Sequence, residues 1–314
     1  MRKAPRRRRL APLAVTLLLV ASVPALTPFL APALIPSGLI DAPNSRRSPS
    51  PELAPQTLRA LGVSTALQVP VGPPAAELSV WTLDPSPPQA RAPTVLVLHG
   101  IRDRKRSMLG WGRRLAAAGF RAVLVDLRGQ GSSSGRFLTY GVVERRDLVQ
   151  LLDRLLARGL VAPPIGVFGA SYGAATAIEL AGVDPRIEAV VAVAPFADLR
   201  SVVPDYLRFY LPGLWRLVPA ARIQRAIDEA GRQAAFDPDQ ASPRLLVQRT
   251  RARVLILHGS DDRNIPLRHT ELIQAAAPDR VERRIVPGKD HNSLMGDPEV
   301  AAQALPWLRH WLHR

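Results

Sequence analysis

Short apolar runs that alternate with segments of helical period constrain this chain more than any other feature of its sequence. Runs at 78–83, 94–98, 122–125, 165–168, 189–193, 254–257 and 282–286 read as strands, with helix-period segments at 107–118, 142–156, 172–181, 267–277 and 298–311 among and after them. This alternation predicts an α/β fold, a mainly parallel sheet flanked by helices. In the last segment Val300, Ala304, Trp307, Leu308, Trp311 and Leu312 recur at helical spacing, which predicts packing onto the sheet. The stretch 196–250, with Tyr206, Phe209, Tyr210 and Trp215, interrupts the alternation and is expected to form a helical cap insertion.

The junction of the 165–168 strand with the following helix carries Gly169-Ala-Ser171-Tyr-Gly173. A sharp turn there lifts a serine hydroxyl above the sheet, and the flanking glycines avoid Cβ clashes where strand and helix come close. A bare Gly-x-Ser-x-Gly is weak evidence; its position between strand and helix makes it specific. The blander alternative is a serine that only caps the helix.

A serine nucleophile needs a base to accept its proton and a carboxylate to orient that base, in chain order serine, acid, histidine. The loop after the 254–257 strand, His258-Gly-Ser-Asp261-Asp262-Arg-Asn-Ile-Pro266, offers both Asp261 and Asp262, and either could instead cap the next helix; Asp262 is preferred. His291, after the 282–286 strand, is the candidate base. His99, His258 and His269 come too early in the chain for that role, and His310 and His313 fall in the terminal helix. The backbone N–H groups of Tyr172, directly after the serine, and of Ile101, in the turn of His99-Gly-Ile101, are the candidate oxyanion-hole donors. His-Gly after a strand also reads as a plain strand-ending turn.

Together these pieces resemble the α/β-hydrolase superfamily across most of the chain. They are Gly-Ala-Ser171-Tyr-Gly, His99-Gly100, Asp126-Leu-Arg128-Gly129-Gln-Gly131-Ser132, His258 to Pro266, and Gly288-Lys-Asp-His291. The 126–132 segment looks like a structural loop of that superfamily and is left out of the catalytic set. The short His-Gly loop and the mid-chain cap look most like the single-domain serine-aminopeptidase-like and prolyl-oligopeptidase-like hydrolases. The lipase-type His-Gly-Gly-Gly is not present, which counts against a lipase or carboxylesterase assignment. The resemblance implies an acyl-enzyme mechanism on an ester, thioester or amide of a small-molecule or peptide substrate, with no cofactor and no metal. The alternatives are acyl transfer or perhydrolysis at the same residues, and a non-catalytic binding protein on the same fold.

Composition narrows the remaining classes. The formal charge is +16, but Arg2, Lys3 and Arg6 to Arg9 cluster at the N-terminus and the remaining excess is scattered, so no nucleic-acid partner is expected. The chain has no cysteine, which excludes disulfides, thiolate nucleophiles and cysteine-based metal sites. The basic cluster followed by the apolar stretch 10–35 reads as an export signal, either cleaved near Ala31-Pro-Ala33 or kept as a membrane anchor, which places the domain in the cell envelope or periplasm. The expected organisation is a signal peptide or anchor at 1–40, a Pro/Ser-rich, poorly ordered tether at 41–56 and a catalytic domain at 57–314 with its cap at about 196–250.

Overall fold

A computed structural model of the chain describes residues 37–45, 48–87, 89 and 91–313. The expected leader falls, over residues 1–36, outside the described residues; among these no helix is long and apolar enough to cross a membrane.

Eight strands form one sheet: β1 (Thr65–Val71), β2 (Ala76–Leu83), β3 (Thr94–Leu98), β4 (Arg121–Val125), β5 (Ile165–Ala170), β6 (Ile187–Val193), β7 (Arg253–Gly259) and β8 (Val281–Val286), in the order β1-β2-β4-β3-β5-β6-β7-β8. From β4 to β8 every pairing is parallel, whereas β1 and β2 run antiparallel at one edge. β1 has no counterpart among the strands read from sequence. It is a half-exposed edge strand interrupted by Pro70, which an edge tolerates because it need not donate to a further neighbour.

From residue 48 onward the helices among the described residues are α1 (Pro55–Ala60), α2 (Leu109–Ala117), α3 (Glu144–Ala157), α4 (Tyr172–Ala181), α5 (Leu199–Tyr210), α6 (Ala220–Ala234), α7 (Pro243–Leu246), α8 (Arg268–Ala276), α9 (His291–Met295) and α10 (Pro298–Leu312). Side chains of β3 alternate between the two faces of the sheet. Leu96 and Leu98 join Leu148, Leu152, Ala174 and Ile178 of α3 and α4, while Val95 and Val97 join Trp111, Leu115, Trp307 and Leu308 of α2 and α10. Both faces are thus covered, and the C-terminal strand ends are left for the loops that carry chemistry. Between β6 and β7 the chain forms α5, α6 and α7 with short 3-10 turns.

Two segments differ from the sequence expectation. Residues 37–40, inside the expected leader, belong to the folded domain: Ile40 is fully buried and the Leu39 carbonyl accepts from the Tyr140 hydroxyl. The expected tether is fastened rather than loose at Asn44, whose side-chain amide donates to the carbonyls of Gly131 and Ser133, and at Glu52, which accepts from Ser79 and from the Trp81 indole. Polar side chains that look like linker composition in sequence find partners, backbone for Asn44 and side chains for Glu52, once the sheet edge is formed.

Glu52 also belongs to a buried ionic cluster. Lys105 is 2% exposed, with its ammonium 2.7 Å from Asp126, 3.2 Å from Glu52 and 2.8 Å from the Ser79 hydroxyl. Asp126 additionally accepts the N–H groups of Lys105 and Ser132. Removing one member strands a buried charge, so Lys105→Met is expected to lower unfolding free energy by about 3–5 kcal/mol in denaturant titration. A change below about 1 kcal/mol would show that the cluster contributes little net stability.

Candidate active site

Ser171 sits between the end of β5 and the first turn of α4 with φ 51° and ψ −111°, a backbone state that L-residues avoid. Close packing forces this turn. A Cβ at Gly173 would lie 2.5 Å from the carbonyl oxygens of Leu98 and His99, and one at Gly169 2.3 Å from the Gly173 carbonyl oxygen, so helix, turn and strand approach only through glycine. The Ser171 N–H donates to Val193 of β6, and its carbonyl accepts from Ala174 and Ala175 at the start of α4.

The structure brings Ser171, His291 and Asp262 together. The Ser171 hydroxyl lies 2.9 Å from His291 Nε2, and His291 Nδ1 lies 2.7 Å from Asp262 Oδ2. With Nδ1–H donated to the carboxylate, Nε2 is free to accept the serine proton. His291 opens α9, and Asp290 ahead of it caps that helix in a reciprocal box with Ser293, which fixes the position from which the imidazole projects. Asp261 is exposed and accepts from the Ser260 hydroxyl; it does not reach His291.

Asp262 uses its two oxygens differently. Oδ1 accepts the N–H groups of Asn264 and Ile265, the local turn-holding role also read from the sequence, while Oδ2 faces His291. His258, excluded as a base by chain order, stands 3.2 Å from Oδ2 and donates Nε2–H to the Ile265 carbonyl. Burial by itself would raise the Asp262 carboxyl, but the donors His258, His291 and Ile265 outweigh it and hold the group well below the usual carboxylate range.

Beside Ser171, the 99–102 turn is oriented by its histidine. His99 is fully buried; its Nε2 accepts the N–H of Leu127 at 3.0 Å, so the ring proton resides on Nδ1 and is donated to the Gly100 carbonyl at 2.7 Å. Burial keeps the ring below its ordinary pKa, and it is neutral. In a trans peptide the N–H points opposite to the carbonyl, so drawing the Gly100 carbonyl toward His99 turns the Ile101 N–H away from it. The Tyr172 N–H, first in α4, has no intrahelical acceptor. Sequence reasoning did not assign His99 this work, nor Gln130, whose side-chain oxygen accepts the N–H of Arg102, a residue at φ 57°. The His-Gly turn was read for its Ile101 N–H without a task for the His99 ring, and the 126–132 loop was read only as structural.

These groups open into a cavity of about 700 Å³. Its walls are mainly apolar: Ile101, Met108 and Trp111 from one side, Val203, Tyr206, Leu207, Tyr210 and Leu211 from α5 and its end, and Gly38 and Leu39 from the start of the described chain. The aromatic residues of the insertion were visible in sequence, whereas nothing there placed residues 38 and 39 at this wall.

Comparison with known proteins agrees with this architecture. Human Protein ABHD12B is 28% identical over 238 residues, covering 70% of this chain and 61% of its own length, and the uncharacterized protein YqkD of Bacillus subtilis is 27% identical over 182 residues, covering 57% and 58%. The chain therefore spans about three fifths of the length of these curated relatives. Among solved structures, the Pyrococcus furiosus esterase Pf2001 superposes with a TM-score of 0.66 at 19% identity, over 84% of this chain and 98% of that one. The acylaminoacyl peptidase of Pyrococcus horikoshii gives 0.60 at 16% identity, over 84% and 44%. The sequence profile of the Alpha/beta hydrolase family matches residues 95–304, two thirds of the chain and all strands from β3 to β8, and the chain belongs to that family.

Proposed function

We propose that the protein is a serine hydrolase that cleaves an ester, thioester or amide through an acyl-enzyme intermediate. The observation that carries this reading is the continuous hydrogen-bonded chain Ser171–His291–Asp262 at the floor of an apolar cavity. Ser171 Oγ attacks the substrate carbonyl as His291 Nε2 takes its proton, and Asp262 stabilises the imidazolium. Negative charge forming on the carbonyl oxygen is met by the N–H groups of Ile101 and Tyr172. His291 then protonates the leaving group. Water, deprotonated by the same imidazole, releases the acyl group and regenerates the serine. The cap over 196–250 supplies much of the cavity wall and selects an apolar acyl or leaving group. The N-terminal 1–40 region would direct this domain across a membrane, with its last four residues retained as part of the fold.

A fluorophosphonate probe should label wild type and fail on Ser171→Ala and His291→Ala, with nitrophenyl ester turnover in wild type only. Absence of labelling on folded wild type would overturn the proposal. A subtler test concerns His99→Leu, which releases the Gly100 carbonyl and with it the orientation of one oxyanion donor. We expect kcat to fall by about 10²-fold with KM little changed, because that interaction strengthens only as charge develops. A change in KM alone would show that the turn serves binding instead.

A further inference from the structure

The cap leaves a band of apolar surface in water. Tyr210, Leu214 and Leu217 are 64%, 56% and 67% exposed, and Phe209 and Leu211 are exposed beside them. Tyr210 and Leu211 also stand on the wall of the Ser171 cavity, so this band is continuous with the cavity mouth. Contiguous exposed apolar surface of this kind marks an interaction site.

Its charge indicates the partner. The stretch 206–225 contains Arg208, Arg216, Arg222 and Arg225 and neither Asp nor Glu; of the four, Arg208 is ion-paired with Asp205 one residue before the stretch, at 3.1 Å. The guanidinium groups of Arg208 and Arg216 lie 4.8 and 5.6 Å from the ring centre of Trp215, which puts cations and an indole at one level beside the exposed leucines. Leucines that can enter hydrocarbon, flanked by an indole and arginines at headgroup depth, match the layered polarity of a bilayer surface. Two copies of the chain facing each other through this band would oppose arginine with arginine, which disfavours self-association. Gly38 and Leu39, which follow the apolar stretch 10–35 and its basic cluster in sequence, also line this cavity.

We propose that the 209–217 lip and its arginines dock on an anionic lipid bilayer, so that the Ser171 cavity opens onto the acyl region and takes a bilayer-held acyl ester as substrate. The docking surface stands independently, whereas the choice of substrate rests on the serine hydrolase reading.

Because the chain has no cysteine, Leu214→Cys or Leu217→Cys gives a unique site for a nitrobenzoxadiazole label, with Ala302→Cys, exposed on α10, as control. The full-length protein would be placed in vesicles of phosphatidylcholine alone or mixed with phosphatidylglycerol. Blue-shifted emission and quenching by spin-labelled lipid at 214 and 217 but not at 302, stronger with phosphatidylglycerol and weakened by salt, is the expected result. Emission at 214 and 217 matching the control would overturn docking. A concentration-dependent shift without vesicles would overturn it in favour of a second copy. For the substrate, the double variant Leu214→Asp/Leu217→Asp should lose about tenfold or more of its turnover of a long-chain ester held in those vesicles, while keeping wild-type turnover of a short soluble ester. Equal loss or equal retention on both esters would overturn the bilayer-held substrate. A wild type inactive on both would sink the hydrolase reading while leaving the label result to judge docking.

Discussion

Ser171→Ala is expected to lower kcat for ester cleavage by about 10⁶-fold and to abolish fluorophosphonate labelling, with the fold unchanged. The effect is this large because in the proposed mechanism the hydroxyl is the atom that forms the acyl bond, and neither Asp262 nor the oxyanion donors could replace it. The residue 171 backbone tells a separate story. At φ 51° the turn stores on the order of 1–3 kcal/mol of strain, which alanine retains and glycine relieves. Ser171→Gly should therefore melt at a higher temperature than Ser171→Ala while being equally inactive. Residual turnover within about 10²-fold of wild type in either variant would mean that another group carries the reaction. An equal melting temperature for the two would mean that the turn is not strained.

Asp262→Asn is expected to lower kcat by about 10⁴-fold, through the tautomer of His291 rather than through loss of structure. Oδ1 is held by two backbone donors, Asn264 and Ile265, which an amide oxygen satisfies equally well. The amide NH2 must then occupy the Oδ2 position and point at His291 Nδ1, which becomes an acceptor and leaves the ring proton on Nε2. That nitrogen can no longer accept from Ser171. If Asp262→Asn retained wild-type kcat, Asp262 would be holding the loop only. Linkage adds a pH signature. The Asp262 carboxyl titrates below its ordinary value of 3.8 in the folded protein, so its contribution to stability is complete above that value and is lost as pH falls toward the depressed one. The stability difference between wild type and Asp262→Asn should accordingly shrink on acidification below about pH 4 and be constant near neutrality. A difference that widens in acid would reverse the assigned sign.

The elements that sequence located and those it missed divide along a physical line. The parallel strands β3 to β7 were legible because burial on both faces demands largely apolar runs, and the Ser171 turn was legible because its glycines, its preceding strand and its following helix are all contiguous in the chain. β1 escaped because one of its faces meets water and its run is broken by Pro70, so it lacks the pattern of its neighbours. The choice of Asp262 over Asp261 rested on a preference between adjacent residues. Only the loop conformation turns one carboxylate toward His291 and the other toward solvent.

The sequence by itself determined the chain order of the residues that meet at the site and narrowed the acid to two neighbours, since the turn, acid and base signals are each contained in a few contiguous residues. Tertiary structure alone decided that they meet. The order β3-β5-β6-β7-β8 delivers loops far apart in sequence to one edge of the sheet. It also set which nitrogen of His99 carries its proton, the fastening of Asn44 and Glu52, and the placing of residues 38 and 39 against the cavity. Each of these depends on a partner distant in the chain, and neither periodicity nor local composition encodes such a partner.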